Sequence, residues 1–414
     1  MITCIKNPGL IVTPNSAGKD CLRGKDTGNV LAIEGHSILC EGKKISDIIP
    51  DGKIKKTKID KFIDVKGKVV FPGFVECHTH SVFAGSRASE YVLKLRGATY
   101  NEIASAGGGI VKTVNAVRSA SPSGLYHLLK KRIEHFISQG VTTLEIKSGY
   151  GLDTETEIKM LKVIKRAAKN FPIDIVPTFL GAHTVPAEFK GDRGKYISLI
   201  INEMLPAIAK KNLARFCDGF CEQSAFTAEE IDQIFARAKE LGLGLKLHTE
   251  QFTNIGGLQT AIKHNAVSAD HLEVIREEDI PFISKSETVS VLLPAVSYFL
   301  NYDYAPARKL IEQNCIVALA TDYNPGSSPV NNLGLIFSLA ALKLKMSVEE
   351  IVTAYTLNAA KALSMSSETG TIEPGKQADF AVYDIEHYND LPYYLSENRN
   401  VMTIKKAKVI YRNK

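Results

Sequence analysis

The sequence lacks the features that would assign it to a membrane or to nucleic acid. No apolar run approaches the length of a membrane span, and no basic region followed by an apolar core and a cleavage site opens the chain. The net charge of +6 is spread over 414 residues, whereas nucleic-acid binding requires basic residues clustered on one face with aromatics. We therefore expect a soluble cytoplasmic protein that binds neither. The mildly positive balance is compatible with an anionic small-molecule substrate.

Cysteine is also scarce and gives no disulfide pattern. The seven cysteines are an odd number and are scattered, and Cys217 and Cys221 are too far apart for a redox Cys-x-x-Cys motif. Reduced thiols in the cytoplasm are the simplest account. The hydrophobic fraction of 44% suffices for a large core, and the length suits a barrel with a smaller module.

The pattern of predicted elements changes twice along the chain. Short strand-like pieces punctuated by turn residues fill residues 1–68 and return after about residue 365. Between them, strands alternate with helices that begin at capping boxes, Thr227 to Glu230 and Ser347 to Glu350. We predict an α/β fold: a (β/α)8 TIM-like barrel over residues 69–365, and a small β-sandwich domain built from residues 1–68 and 366–414.

A His-x-His motif follows the apolar run of residues 69–71 and is expected at the end of a buried strand. Alternate side chains of a strand share a face, so His78 and His80 point the same way and can bind one metal ion. Taken alone, the motif is as readily two structural histidines.

Further polar side chains follow later predicted strands, where a barrel places its active site. They are His183, His248, His271 and Asp322. We predict that His78, His80, His248 and Asp322 bind the metal, because three nitrogens and one oxygen suit zinc, with iron or another first-row ion left open. A metal with an open position lowers the pKa of bound water from about 15.7 to about 7. His271 and Asp322 are then the candidate proton carriers.

These motifs resemble the amidohydrolase superfamily, whose closing signature is similar to residues 373–379. Within it, the chain is similar to the imidazolonepropionase family along essentially its full length. The matching segments are residues 83–87, 96–110, 145–151, 179–183, 247–251 and 321–327.

The resemblance implies hydrolysis of the ring amide of 4-imidazolone-5-propanoate to N-formimidoyl-L-glutamate in histidine degradation, by a metal-activated water. It implies one divalent or trivalent ion per chain, zinc or iron, imidazolone propionate as the small-molecule substrate, and a homodimer. Lys147 resembles the modified lysine that bridges two metals in other amidohydrolases. Because Lys147 lies inside a matching segment of this family, we predict a single metal.

Substrate binding is expected from residues near the metal ligands. A guanidinium can hold a carboxylate bidentately, which suits Arg87 to the propionate. Tyr150, in a loop between glycines, and His183 can contact the ring or the carboxylate. Some family members have an acid where this chain has Gln251, which as an amide can bind substrate but cannot act as a base. The resemblance adds Asn324, Gly326 and Ser327, although an ordinary turn would also use such residues.

Two other classes stay open at this point. One is another cyclic-amide hydrolase or an aminohydrolase, which Arg87 and the loop around Tyr150 would restrict to substrates that bear a carboxylate. The other is a non-catalytic barrel scaffold, which would be free to lose the metal ligands that this chain retains.

Overall fold

The computed structural model describes residues 1–97 and 108–413, and it centres on a parallel barrel. Each strand of an eight-stranded sheet pairs with the next strand along the chain. The strands are Phe74–Glu76, Val141–Lys147, Asp174–Ala182, Phe216–Cys221, Gly244–Thr249, Ser268–His271, Val289–Leu292 and Val317–Leu319. The predicted TIM-like fold is confirmed. Residues 98–107, part of one family match, lie outside the described residues.

Backbone hydrogen bonds join the segments that follow the first and last strands. The amide of Asp322 donates to the carbonyl of His78 over 3.1 Å, and the amide of His80 donates to the carbonyl of Tyr323 over 3.0 Å. Thr79 and Tyr323 also form a parallel bridge. This closure brings the His-x-His motif beside Asp322, although the rest of the barrel lies between them in the sequence.

The helices begin where the sequence places their caps. Thr227 and Glu230 form the predicted capping box at the start of helix Ala228–Glu240, which buries Ile231 and Phe235 against the barrel. Ser347 and Glu350 do the same for helix Val348–Ala354. The other α-helices are Ala88–Leu95, Ile110–Ser119, Pro122–Ser138, Thr154–Asn170, Arg193–Leu199, Leu205–Lys210, Gly257–Lys263, Ile280–Ser284, Pro294–Leu300, Ala307–Glu312, Leu333–Leu342 and Leu357–Lys361. A π-helical segment spans Ile200–Met204, and short 3-10 helices span Gly24–Gly28, Asp51–Lys56, Ala187–Phe189, Glu277–Asp279 and Tyr388–Asp390.

Two further sheets contain strands from both ends of the chain. The four-stranded sheet has the order Lys44–Pro50, His36–Glu41, Ile2–Lys6, Lys61–Asp64, and the six-stranded sheet has the order Lys408–Arg412, Asn400–Lys405, Phe380–Tyr383, Val69–Pro72, Leu10–Pro14, Val30–Ile33. Ile5 and Ile38 of the first sheet share an apolar core with Val70, Phe380 and Ile404 of the second. This shared core forms a sandwich of the predicted kind.

The strand that precedes the His-x-His motif differs from the prediction. The apolar run at residues 69–71 lies in the six-stranded sheet as Val69–Pro72, and the barrel begins separately at Phe74. Gly73 separates the two strands, and a Cβ there would lie 2.2 Å from Thr142 Oγ1, so only glycine permits this close approach. The division of the chain into domains at residues 68 and 365 stays a prediction.

Within residues 1–97 and 108–413, none of the helices combines the length and the apolar character that crossing a membrane requires.

Candidate active site

The four side chains predicted to bind a metal meet at the C-terminal mouth of the barrel, and we call them the metal-ligand set. They are His78, His80, His248 and Asp322, all nearly inaccessible to solvent. Asp322 Oδ1 lies 3.3 Å from His78 Nε2 and 3.2 Å from His80 Nε2. The Nε2 atoms of His80 and His248 are 3.3 Å apart. The structure therefore brings together all four predicted ligands.

The spacing within the set fits one small cation at His78, His80 and Asp322, whose ligand atoms all lie within 4.8 Å of one another. A tetrahedral ion with ligands at about 2.0–2.1 Å places two ligand atoms about 3.3–3.4 Å apart, close to the observed distances. His78 Nε2 and Asp322 Oδ1 are buried and have no hydrogen-bond partner among the described residues. Buried polar atoms without partners are costly, and a cation between them would satisfy them. The residues therefore fit a metal ion.

Two buried carboxylates hold the outer nitrogens of the histidine ligands. His78 Nδ1 donates to Asp270 Oδ2 over 2.6 Å, and His248 Nδ1 donates to Asp218 Oδ1 over 3.1 Å. Such hydrogen bonds fix the tautomer and leave Nε2 directed at the metal position. The sequence-based prediction missed both aspartates.

Beneath the ligands, two lysines neutralise the carboxylates inside the barrel. Lys147 Nζ lies 2.7 Å from Asp218 and 2.9 Å from Glu145, and Lys246 Nζ lies 3.8 Å from both Glu145 and Asp270. All five side chains are inaccessible to solvent. The amine of Lys147 is thus bound within this cluster, which we call the barrel-floor cluster.

Burial sets the charge states of the histidine ligands. Desolvation lowers the pKa of His80, and it holds the pKa of His248 well below its usual value even beside Asp218. Desolvation and Lys147 also act against a proton on His78, but Asp270 and Asp322 outweigh them and raise its pKa to about 9. Two imidazoles are therefore ready to bind a metal as neutral ligands, and at His78 a metal would compete with a proton.

His271 lies beside the metal-ligand set, with its ring centre 5.5 Å from that of His248 and 6.0 Å from that of His78. Its Nδ1 is 3.4 Å from Glu273. One ring nitrogen from each of His78, His248 and His271 lies within 4.8 Å of the other two, so these three histidines form a second possible metal-binding group. The φ angles of His271 (+89°) and Asp322 (+51°) are in the left-handed region, an arrangement typical of functional sites. His271 can therefore reach a reacting group, and its predicted catalytic role stays a prediction.

Tyr150 and His183 form one wall of the site. The ring of His183 stacks on His80 with centres 5.3 Å apart, and Tyr150 lies 5.4 Å from His183 and 5.9 Å from His80. Burial raises the pKa of Tyr150, a shift that Asp322 reinforces and that Arg87 opposes. Tyr150 therefore stays a neutral hydroxyl that can donate a hydrogen bond.

Arg87 is half-buried, and its guanidinium lies against Gly326. Its Nε donates to Glu90 Oε2 over 2.9 Å. A Cβ added to Gly326 would lie 2.1 Å from Arg87 Nη1, so glycine makes room for the guanidinium. The structure thus brings Arg87 together with the turn that contains Asn324, Gly326 and Ser327.

That turn is organised by Asn324, whose side chain bonds within the protein. Asn324 Nδ2 donates to Asp322 Oδ2 over 2.9 Å, and its Oδ1 accepts from the amides of Gly326 and Ser327 over 2.8 Å each. The turn therefore connects the carboxylate of Asp322 to the glycine against which Arg87 packs. Gln251 donates to the hydroxyl of Tyr302 over 3.2 Å, and its part in substrate binding stays a prediction.

Comparisons with known proteins identify the family of the chain. A sequence model of the amidohydrolase family matches residues 69–411. The chain is 46% identical to the imidazolonepropionase of Thermoanaerobacter pseudethanolicus, over 98% of this chain and 96% of that protein. It is 40% identical to the imidazolonepropionase of Clostridium tetani, over 99% and 98% of the two chains.

Solved structures with the same fold are distant in sequence. A triazine hydrolase from Arthrobacter aurescens has a TM-score of 0.78 at 15% identity, with 100% of this chain and 95% of that chain covered. An adenosine deaminase from Xanthomonas campestris with bound zinc has a TM-score of 0.74 at 15% identity, with coverage of 99% and 93%. The chain therefore belongs to the amidohydrolase family and, within it, to the imidazolonepropionase family.

Proposed function

We propose that the protein hydrolyses the ring amide of 4-imidazolone-5-propanoate to N-formimidoyl-L-glutamate, the reaction of histidine degradation. The observation that carries this proposal is the pairing of two features in one barrel mouth. The metal-ligand set can hold a metal that activates water. The guanidinium of Arg87, a cation suited to a carboxylate, lies against Gly326 in the turn that Asn324 ties to Asp322.

The side chains have distinct proposed roles. When bound, the metal supplies an acidified water as the nucleophile. The carboxylate of Asp322 takes up the proton of this water and passes it to the leaving ring nitrogen. His271 donates a hydrogen bond to the oxyanion that forms at the ring carbonyl.

Substrate recognition is assigned to the opposite wall and the turn. Arg87 binds the propionate carboxylate, and Tyr150 and His183 contact the ring or the carboxylate. Asn324, Gly326 and Ser327 support that contact, and Gln251 binds substrate without acting as a base.

We further propose one metal ion per chain, zinc or iron. Support comes from Lys147, whose amine is bound by Asp218 and Glu145 in the barrel-floor cluster and so is not directed at a second metal. Elemental analysis of purified protein tests this count. A value near two per chain would contradict it.

A homodimer in the cytoplasm completes the proposal. All seven cysteines are buried and free, as a reducing compartment favours. Light scattering of the purified protein tests the dimer, and a monomer mass at working concentration would exclude it.

The decisive experiment follows the loss of imidazolone propionate absorbance together with metal content. Rapid turnover is expected with imidazolone propionate and little with the same ring lacking the carboxylate. Turnover of neutral nucleobases instead would favour an aminohydrolase. Protein that holds no metal and turns over nothing would favour the non-catalytic scaffold.

A further inference from the structure

We propose that Glu157 is a positioning residue for substrate recognition: its buried carboxylate shapes the loop that carries Tyr150 and, through Gly149, orients the imidazole of His183. The proposal rests on the proposed function, because it assigns Tyr150 and His183 to the substrate. Glu157 itself lies on helix Thr154–Asn170, behind the loop and outside the metal-ligand set.

The carboxylate of Glu157 is surrounded by backbone donors of one short loop. Its Oε1 accepts from the amide of Gly151 over 2.7 Å and from the amide of Leu152 over 3.0 Å. The amide of Gly149 donates to both oxygens, over 3.1 Å to Oε2 and 3.2 Å to Oε1. The three donors flank Tyr150 on both sides, so one carboxylate fixes the whole loop.

No cation neutralises this carboxylate among residues 1–97 and 108–413, since the ion pairs described there do not include Glu157. The side chain is inaccessible to solvent, and burial raises its pKa. A buried carboxylate without a cation is costly unless hydrogen bonds satisfy it, and here the amides of the loop do so. The carboxylate and the loop conformation therefore depend on each other.

That conformation requires outside support because it is strained. Leu152 has a φ of +56°, a region that residues with a side chain rarely adopt. Gly149 has a φ of +104°, and a Cβ there would lie 2.9 Å from the carbonyl oxygen of Leu180. The hydrogen bonds to Glu157 offset this strain and place the ring of Tyr150 against His80 and His183.

The same loop sets the orientation of His183. The carbonyl of Gly149 accepts from His183 Nδ1 over 2.9 Å. With its proton held at Nδ1, His183 presents Nε2 as an acceptor, suited to a ring N–H of the substrate. Glu157 therefore acts on two substrate contacts through one loop.

Glu157→Gln tests the idea at the Gly149 contact. The amide keeps one oxygen, which serves Gly151 and Leu152 and lies 3.2 Å from the Gly149 amide. In place of the second oxygen it puts an NH₂ group against the Gly149 amide, so that two donors face each other. Glu155→Gln is the matched control, because Glu155 lies on the first turn of the same helix and is exposed. We expect KM for imidazolone propionate to rise at least tenfold in the first variant, with kcat changed less than threefold. The control should behave as the wild type.

A second readout does not depend on activity. Nitrogen-15 spectra of histidine-labelled protein should show His183 as a single Nδ1-protonated tautomer in the wild type and a mixture of tautomers in Glu157→Gln. Absence of wild-type turnover would refute the proposed function alone, since the tautomer change would still support the positioning role.

An unchanged KM and an unchanged His183 tautomer in folded Glu157→Gln would overturn the inference. A fall in kcat with KM constant would do so as well. Should Glu157→Gln not fold, Glu157→Asp keeps the charge and withdraws it by one methylene, and the same rise in KM is expected. Folded Glu157→Asp with a wild-type KM would overturn the inference.

Discussion

Substitution of Gly326 by alanine tests the role of the Arg87 guanidinium while Arg87 itself stays unchanged in the sequence. The φ of Gly326 is not in the left-handed region, so its backbone accepts a side chain. The added Cβ would lie 2.1 Å from Arg87 Nη1 and 3.0 Å from Cζ. A carbon and a nitrogen in ordinary contact lie about 3.5 Å apart. Because the added Cβ would be only 2.1 Å from Nη1, the guanidinium has to move by more than about 1 Å.

The expected cost follows from that movement. Hydrogen bonds to a charged group contribute about 1.5–3 kcal/mol, which corresponds to about 10–150-fold in affinity. Glu90 holds the Nε of Arg87 at 2.9 Å and resists a compensating rotation. We therefore expect kcat/KM for imidazolone propionate to fall within that range, mainly through KM.

Steady-state kinetics with two controls distinguish this mechanism from general damage. Gly191→Ala adds the same methyl where nothing lies within 4 Å of the new Cβ, and it should be silent. In a protein that already carries Arg87→Met, Gly326→Ala should cost almost nothing further, because the two sites act as one unit. Full additivity of the two substitutions, or a wild-type KM in Gly326→Ala, would refute the reasoning.

Three further outcomes are expected. His271→Ala should retain its metal but lose about 10²–10⁴-fold in kcat; loss of the metal in elemental analysis would instead make His271 a ligand. Removal of the metal by a chelator should lower Tm, since an ion at 1,000 times its dissociation constant stabilises the fold by about 4 kcal/mol, and an unchanged Tm in calorimetry would contradict the single buried centre. Lys147→Met should lower the free energy of unfolding by about 3–5 kcal/mol in urea titration, because it leaves Asp218 and Glu145 buried beside one cation fewer; the exposed Lys130→Met is its control.

The metal ligands were predictable from the sequence because their spacing carries a physical rule. His78 and His80 are two apart, and a strand directs such residues to one side. His248 and Asp322 each close an apolar run, and parallel strands of a barrel end at one mouth. The alternation of elements was enough to bring these residues together.

The carboxylates behind the ligands were not predictable in the same way. Asp218 lies on strand Phe216–Cys221, whose sequence includes glycine and no β-branched residue, so the strand itself was missed. Glu157 resembles any acid in the first turns of a helix, where it is usually exposed. Both side chains are buried and bind other parts of the protein, whereas an acid at such positions is usually solvated. Burial depends on contacts between segments far apart in sequence, which the local pattern does not show.

The strand Val69–Pro72 has a consequence for how the chain is made. It pairs on one side with Leu10–Pro14 and on the other with Phe380–Tyr383. During synthesis from the N-terminus, domains fold as their residues emerge, but this strand keeps an unpaired edge until residue 383 has left the ribosome. The three histidines of the metal-ligand set likewise emerge well before Asp322. A nascent chain therefore carries both an open sheet edge and an incomplete metal site for most of its synthesis, which makes truncated products prone to association through that edge.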